Sequence, residues 1–245
     1  MSSPRFDFTG KVALVTGVGR AGQIGHAVAL AFGQAGAKVV ACDLNAVGVA
    51  TRVREFAALG VDARPCAGDL TQPDIAALAV EMAVRHFGRL DVVVNVAGGL
   101  TTYGPLEKLT VADFDREVSI NLKTTVLVSQ AAIEALSRTR GCIVNFASIA
   151  YFEPQSPMAV YSAAKSAVAG FTRSLALELA DRHVRVNAVA PRAVRTSDNV
   201  AAMGEDAEYV EMEDITDGVL ALASTESATV TGHILPIAPA ASGRI

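Results

Sequence analysis

The chain has 245 residues, a hydrophobic share of 51% and a formal net charge of -4. That size and composition suit one α/β domain with a large core and exclude an intrinsically disordered chain. Acidic and basic residues are mixed along the sequence with no basic block, which argues against a nucleic-acid partner.

Short apolar runs alternate with longer helical patterns. "KVALVT" (Lys11–Thr16) reads as a buried strand, and Ile24 to Ala35 has helical periodicity ended by Gly36. "KVVACD" (Lys38–Asp43) is a second strand, a helix runs from about Val47 to Leu59, and "DARPCAGD" leads into a third strand at a sheet edge. "PDIAALAVEMAVRHFG" is an amphipathic helix opened by Pro73 and closed by Gly88. "LDVVVNVAG" is a fourth strand, and Thr110 with Asp113 forms the pattern of a capping box for a long helix reaching about Leu136. "GCIVNFAS" is a fifth strand, "VYSAAKSAVAGF" (Val160–Phe171) a close-packing helix, "VRVNAVAP" a sixth strand and "GHILPIAP" a seventh. Strands that are apolar throughout and separated by helices predict a single doubly wound, Rossmann-type domain over 1–245, with a mainly parallel seven-stranded sheet and helices on both faces. Ligands of such a sheet sit at the carboxyl ends of its strands.

Cys42, Cys66 and Cys142 lie in apolar runs, and an odd, scattered set is no disulfide framework. His26, His86, His183 and His233 show no metal-ligand spacing. The start "MSSPRFDFTGK" lacks the apolar core of a signal peptide, and no run reaches the roughly 18 apolar residues of a membrane span. These features lead us to expect a cytoplasmic protein without metal or membrane.

Between the first strand and first helix, Gly17, Gly19 and Gly22 spell G-x-G-x-x-G, with Gly25 following. Bare backbone there permits a sharp turn and lets a diphosphate approach the amides of a helix N-terminus, which makes Arg20, Gln23 and Ile24 candidate cofactor residues as well. The alternative is a plain tight turn. Asp43 ends the second strand, where a carboxylate can accept from adenosine ribose hydroxyls or simply form a turn. Asp69, at the third strand end, either meets the adenine or caps the next segment. In the Val160–Phe171 helix, Tyr161 and Lys165 stand one turn apart. A cation so placed lowers the pKa of a phenol and turns it into a general acid or base. The competing reading is a pair whose polar tips reach solvent. "SAAK" also matches a Ser-x-x-Lys nucleophile pattern, without the other elements that pattern needs.

The ordered set "TGVGRAGQIG", Asp43, "GDL" (Gly68–Leu70), "NVAG" (Asn95–Gly98), "INL" around Asn121, Ser148, Tyr161 with Lys165, and "PRAVRT" (Pro191–Thr196) resembles the short-chain dehydrogenase/reductase family from Lys11 to about Pro236. The resemblance implies a catalytic group of Asn121, Ser148, Tyr161 and Lys165. Tyr161 would exchange the proton at the substrate oxygen, Ser148 would hydrogen-bond that oxygen, Lys165 would hold the nicotinamide ribose and depress the phenol, and Asn121 would hold a water linking Lys165 to solvent. It further implies cofactor contacts from Asp69, Leu70, Asn95, the Ala97–Gly98 backbone, Pro191, Val194 and Thr196, substrate contacts from Tyr151 and Arg192, and a homo-oligomer, tetramer or dimer.

The expected activity is interconversion of a secondary alcohol and a ketone. A dinucleotide-binding sensor or scaffold and an enoyl-reductase-like enzyme are the alternatives. NAD is the expected cofactor, because the Asp43 carboxylate would repel a 2′-phosphate; NADP is the alternative if Arg20 supplies a cation there. Four departures stand out. The glycine loop is two residues longer than usual, with Gln23 in place of its middle glycine. Arg192 replaces the glycine after Pro191, and its guanidinium either meets an anionic substrate, points to solvent or pairs with a lid acid such as Glu205 or Asp206. The substrate lid at about 196–214 is short and acidic. "IAPAAS" replaces the usual Asp-Gly-Gly near the end.

Overall fold

The computed structural model describes residues 6–239. Its seven strands, β1 (Val12–Thr16), β2 (Lys38–Asp43), β3 (Ala63–Ala67), β4 (Val92–Asn95), β5 (Cys142–Phe146), β6 (Arg185–Pro191) and β7 (Ile234–Ile237), form one sheet in the order β3-β2-β1-β4-β5-β6-β7. Every neighbouring pair is parallel. Parallel strands covered on both faces must be apolar on both faces, and β1 is buried at every position. Its side chains alternate: Ala13 and Val15 enter one core layer, Val12 and Leu14 the other. Pro65 of β3 and Pro236 of β7 stand in the two edge strands, where a missing N–H costs least, and Pro191 is the last residue of β6.

Helices α1 (Ile24–Gln34) and α2 (Ala46–Ala58) bury Val28, Phe32, Val49 and Phe56 against one face. On the other face α3 (Pro73–Phe87) lays Ala76, Ala79 and Ala83. Gly88 ends α3 at φ +80°, a left-handed cap that glycine adopts without strain. The helix opened by Thr110 has the predicted capping box, in which Thr110 Oγ1 accepts from Asp113 N and the Asp113 carboxylate accepts from Thr110 N. It is not continuous. α4 (Val111–Val118) passes through a π-turn at Ser119–Lys123 into α5 (Thr124–Thr139). Freed carbonyls in that turn are taken by hydroxyls, Thr124 Oγ1 donating to Ile120 O and Thr125 Oγ1 to Asn121 O. Single π-turns inside helices concentrate at functional sites. α6 (Ala159–Glu178) follows β5 and packs beside α4.

The segment expected to be a lid is itself structured. Helix α7 (Ser197–Met203) fills its first part, and the last three residues, 212–214, already belong to α8 (Met212–Ala223), which buries Ile215, Val219 and Leu222 against the α1 face. Of the atypical C-terminal stretch, Ala240–Ser242 lies outside the described residues, as does the sequence before Phe6. Among the described residues no helix is long and apolar enough to cross a membrane.

Candidate active site

A cleft of about 360 Å³ opens at the carboxyl ends of β1, β2 and β3, where the chain order reverses between β1 and β4. Gly17 turns the loop at φ +76°. Gly19 then passes so close to β2 that a Cβ would stand 2.6 Å from the Asp43 carboxyl carbon. The Asp43 carboxylate accepts from Gly19 N at 2.7 Å and from Asn45 N at 2.8 Å. Gln23, the N-cap of α1, gives that helix no side-chain hydrogen bond, so the first-turn amides are left for an anion. Two side chains of the loop reach α7. Arg20 makes a bidentate pair with Asp198, both bonds 2.6 Å, and Gln23 Nε2 donates to Ser197 Oγ at 3.0 Å. Thr16 Oγ1 accepts from the amides of Val96 and Ala97 and holds the β4 loop against the cleft. Ile24, Leu70, Ala97 and Gly98 line it, and so does Asp69. The Asp69 carboxylate accepts from Thr71 N, and that bond lowers its pKa: it caps the turn while facing the cleft.

The chemistry-bearing side chains meet at the next strand ends. Ser148 follows β5 in extended backbone, its Oγ accepts from Ala150 N at 3.2 Å, and its hydroxyl acts on the Tyr161 phenol. Lys165 is buried one turn along α6. Its Nζ donates to Phe146 O at 2.8 Å and lies 6.0 Å from the centre of the Tyr161 ring. Burial pushes the Tyr161 phenol above its usual value, the Ser148 hydrogen bond opposes this, and the Glu117 carboxylate adds to it. Burial brings the Lys165 ammonium down from 10.5 to about 8, against the pull of Glu117. Both groups have left water, and desolvation is the largest cause of each shift.

Asn121 sits in the π-turn with its amide fully engaged. Oδ1 accepts from Gly99 N, and Nδ2 donates to Gly99 O, Glu117 O and Glu117 Oε1, each at 3.0 Å. Asn95 does not reach the cleft; its amide bridges Ser129 and Asn145 between sheet and helix. Pro191, Val194 and Thr196 lie beyond it at the end of β6, where Thr196 Oγ1 caps α7 by accepting from Asn199 N. Tyr151 stands edge-on to Phe152 with the Arg173 guanidinium over its ring. Arg192 pairs with Glu153 from the loop after β5 and not with a lid acid, while Arg195 takes Glu205 and Glu211. Three acids escaped the sequence reading: Glu117, Glu153 and Asp198. Glu117 alone carried a local signal, standing four residues before Asn121 on the same helix face.

Comparison with known proteins agrees with this geometry. The short chain dehydrogenase family model matches residues 11–207. The 3-oxoacyl-[acyl-carrier-protein] reductase FabG of Thermotoga maritima is 34% identical over 239 residues, covering 93% of this chain and 96% of that protein. Cyclohexanol dehydrogenase of an Acinetobacter species is 34% identical over 235 residues, 92% of each chain. Among solved structures, a 7α-hydroxysteroid dehydrogenase complexed with NADH and 7-oxo glycochenodeoxycholic acid superposes with a TM-score of 0.89 at 28% identity, covering 97% of this chain and 96% of the other. A 3-oxoacyl-[acyl-carrier protein] reductase with bound NAD from Brucella melitensis gives 0.84 at 33% identity, covering 96% and 92%. The chain belongs to the short-chain dehydrogenase family and is an oxidoreductase of that type.

Proposed function

We propose that the protein interconverts a secondary alcohol and a ketone, with NAD preferred over NADP and Tyr161 as the general acid or base. The observation that carries this reading is the meeting of the Ser148 and Tyr161 hydroxyls beside a buried Lys165. The cleft fits a dinucleotide. The amides at the start of α1 have no side-chain cap, and Gly17 and Gly19 leave bare backbone where a diphosphate would lie. Asp43 would hold the adenosine ribose, Asp69, Leu70, Ala97 and Gly98 would flank the base, and Lys165 would hold the second ribose. A bound nicotinamide supplies or takes the hydride. Tyr161, kept protonated by burial, donates its proton to the carbonyl oxygen, and Ser148 hydrogen-bonds the same oxygen and orients it. With both amide ends of Asn121 committed, a relay water would rest on its backbone carbonyl, which the Thr125 hydroxyl also meets.

Arg20 is held by Asp198, which supports NAD: the cation that would neutralise a 2′-phosphate is already paired. The pairing of Arg192 with Glu153 removes support for an anionic-substrate contact. The segment 196–214 would act as a substrate lid, tied to the glycine loop through Arg20–Asp198 and Gln23–Ser197. A panel of ketones and secondary alcohols followed at the nicotinamide absorbance tests the proposal. Turnover of carbonyl compounds with NADH is expected. Tight NADH binding with no turnover across the panel would favour a sensor, and reduction of enoyl thioesters alone would favour the enoyl-reductase alternative.

A further inference from the structure

Glu117 is fully buried, with 0% of its surface exposed. A carboxylate in such a place costs stability unless its oxygens are satisfied. Here they are satisfied only by neutral donors. Oε2 accepts from Thr101 N at 3.0 Å and from Thr101 Oγ1, and Oε1 accepts from Asn121 Nδ2 at 3.0 Å. Among the described residues no Lys or Arg forms an ion pair with it. Asn121 lies in the π-turn at Ser119–Lys123, four residues on from Glu117, and its Nδ2 donates to both the Glu117 carbonyl and its carboxylate. The same Asn121 amide pins Gly99 in the loop after β4. One buried acid thus fixes the loop through Thr101 and the π-turn through Asn121.

α4 packs against α6, which carries Tyr161 and Lys165. These are the two titratable groups on which the Glu117 charge acts. The remaining charges nearby are directed elsewhere. Asp113 and Arg116 pair with each other on the exposed face of α4, and Lys123 of the π-turn acts on Asp69.

We propose that Glu117 is a positioning residue of the active site: its carboxylate fixes Asn121 and is the counter-charge that keeps Lys165 an ammonium. The proposal rests on the reading of Tyr161 and Lys165 as catalytic, but its electrostatic part is measurable without catalysis. Glutamine cannot replace the acid. A carboxylate accepts on both oxygens, whereas a glutamine amide turns a donor toward either Thr101 or Asn121. Removing the charge takes attraction from Lys165 and repulsion from Tyr161, so both groups titrate at lower pH.

The test uses 13Cε-lysine NMR on the protein without nucleotide. The chain has five lysines, and Lys165→Met assigns the resonance. In the wild type Lys165 should titrate near pH 8. In Glu117→Gln the midpoint should fall by about one pH unit, as expected when an opposite charge that acts on the ammonium is removed. In Glu117→Asp, which retracts the charge by one methylene, it should fall less and in the same direction. If Glu117→Gln fails to fold, Glu117→Asp alone decides. Unchanged midpoints in the folded variants would overturn the proposal, because a merely structural acid leaves the ammonium where it was. Should Tyr161→Phe turn over like wild type while the lysine midpoint still moves, the catalytic reading fails and the Glu117–Lys165 coupling stands.

Discussion

The two ends of the cleft are built on opposite principles. At the glycine-loop end, the proposed binding groups are backbone amides and a part-exposed carboxylate at strand ends, with the Arg20–Asp198 pair open to solvent. At the β5–α6 end, Lys165, Asn121 and Glu117 are all buried, and burial moves the ionisation of Lys165 and Tyr161. A binding end needs donors that survive in water. A proton-transfer end needs groups whose charge states are set by the protein, and desolvation sets them. Mutations at the two ends should therefore separate cleanly.

The largest effect is expected from Tyr161→Phe. It keeps the ring and removes the proton, so kcat should fall on the order of 10³-fold while the NADH dissociation constant stays within about threefold. Equal losses in both would mean that the two ends are one coupled unit. Lys165→Met should lower kcat/KM by about 10²-fold and weaken NADH binding, because in the proposed mechanism the ammonium would serve the ribose as well as the phenol. The same variant should be more stable. The folded-state value of about 8 lies below the ordinary 10.5, so between these pH values the folded protein binds fewer protons than the unfolded chain. Burial of the ammonium therefore costs about 3 kcal/mol at neutral pH, a cost that fades as pH rises from about 8 to 10.5. Calorimetry at pH 7 should show Tm several degrees higher for Lys165→Met, with the gain shrinking at alkaline pH. A lower Tm would mean that the Phe146 hydrogen bond outweighs desolvation.

At the other end, Asp43→Ala should cut the ratio of kcat/KM for NAD over NADP by about tenfold, with little change in kcat for NAD. A wild-type preference for NADP would show that Arg20 leaves Asp198 for the phosphate. Arg192→Gly should be the mildest. Because Glu153 already neutralises the guanidinium, the ratio of rates for acidic substrates to their neutral esters should change by less than about threefold. A selective tenfold loss for the acids would restore Arg192 to the substrate site.

Much of this was legible in the sequence because it is local. The glycine loop, Asp43 and the strand ends follow from short runs, Tyr161 and Lys165 from their spacing on one helix, and Ser148 and Asn121 only from the resemblance to a family. The capping box at Thr110 was legible for the same reason. What stayed hidden depends on partners far along the chain. Arg192 finds Glu153 39 residues away, and Arg20 finds Asp198 178 residues away. No periodicity announces such pairs. The π-turn was missed because a helix pattern cannot show where one residue is inserted. Asn95 was misplaced because a polar residue at a strand end can face the cleft or brace the sheet, and only Ser129 and Asn145 decide. Helix α8 carried a readable stripe in Ile215, Val219 and Leu222, but the acidic run before it drew attention to a lid.

The central claim is that burial sets the charges of Tyr161 and Lys165 and thereby the direction of proton transfer. It is tested most directly by the pH dependence of kcat/KM for NADH at saturating ketone, which reports the protein before it binds the dinucleotide. Below about pH 8 Lys165 is an ammonium and Tyr161 is protonated, so the value should be level. As pH rises through about 8 the ammonium is lost, and the value should fall tenfold per pH unit. A profile that stays level to pH 10, or that rises, would contradict the account.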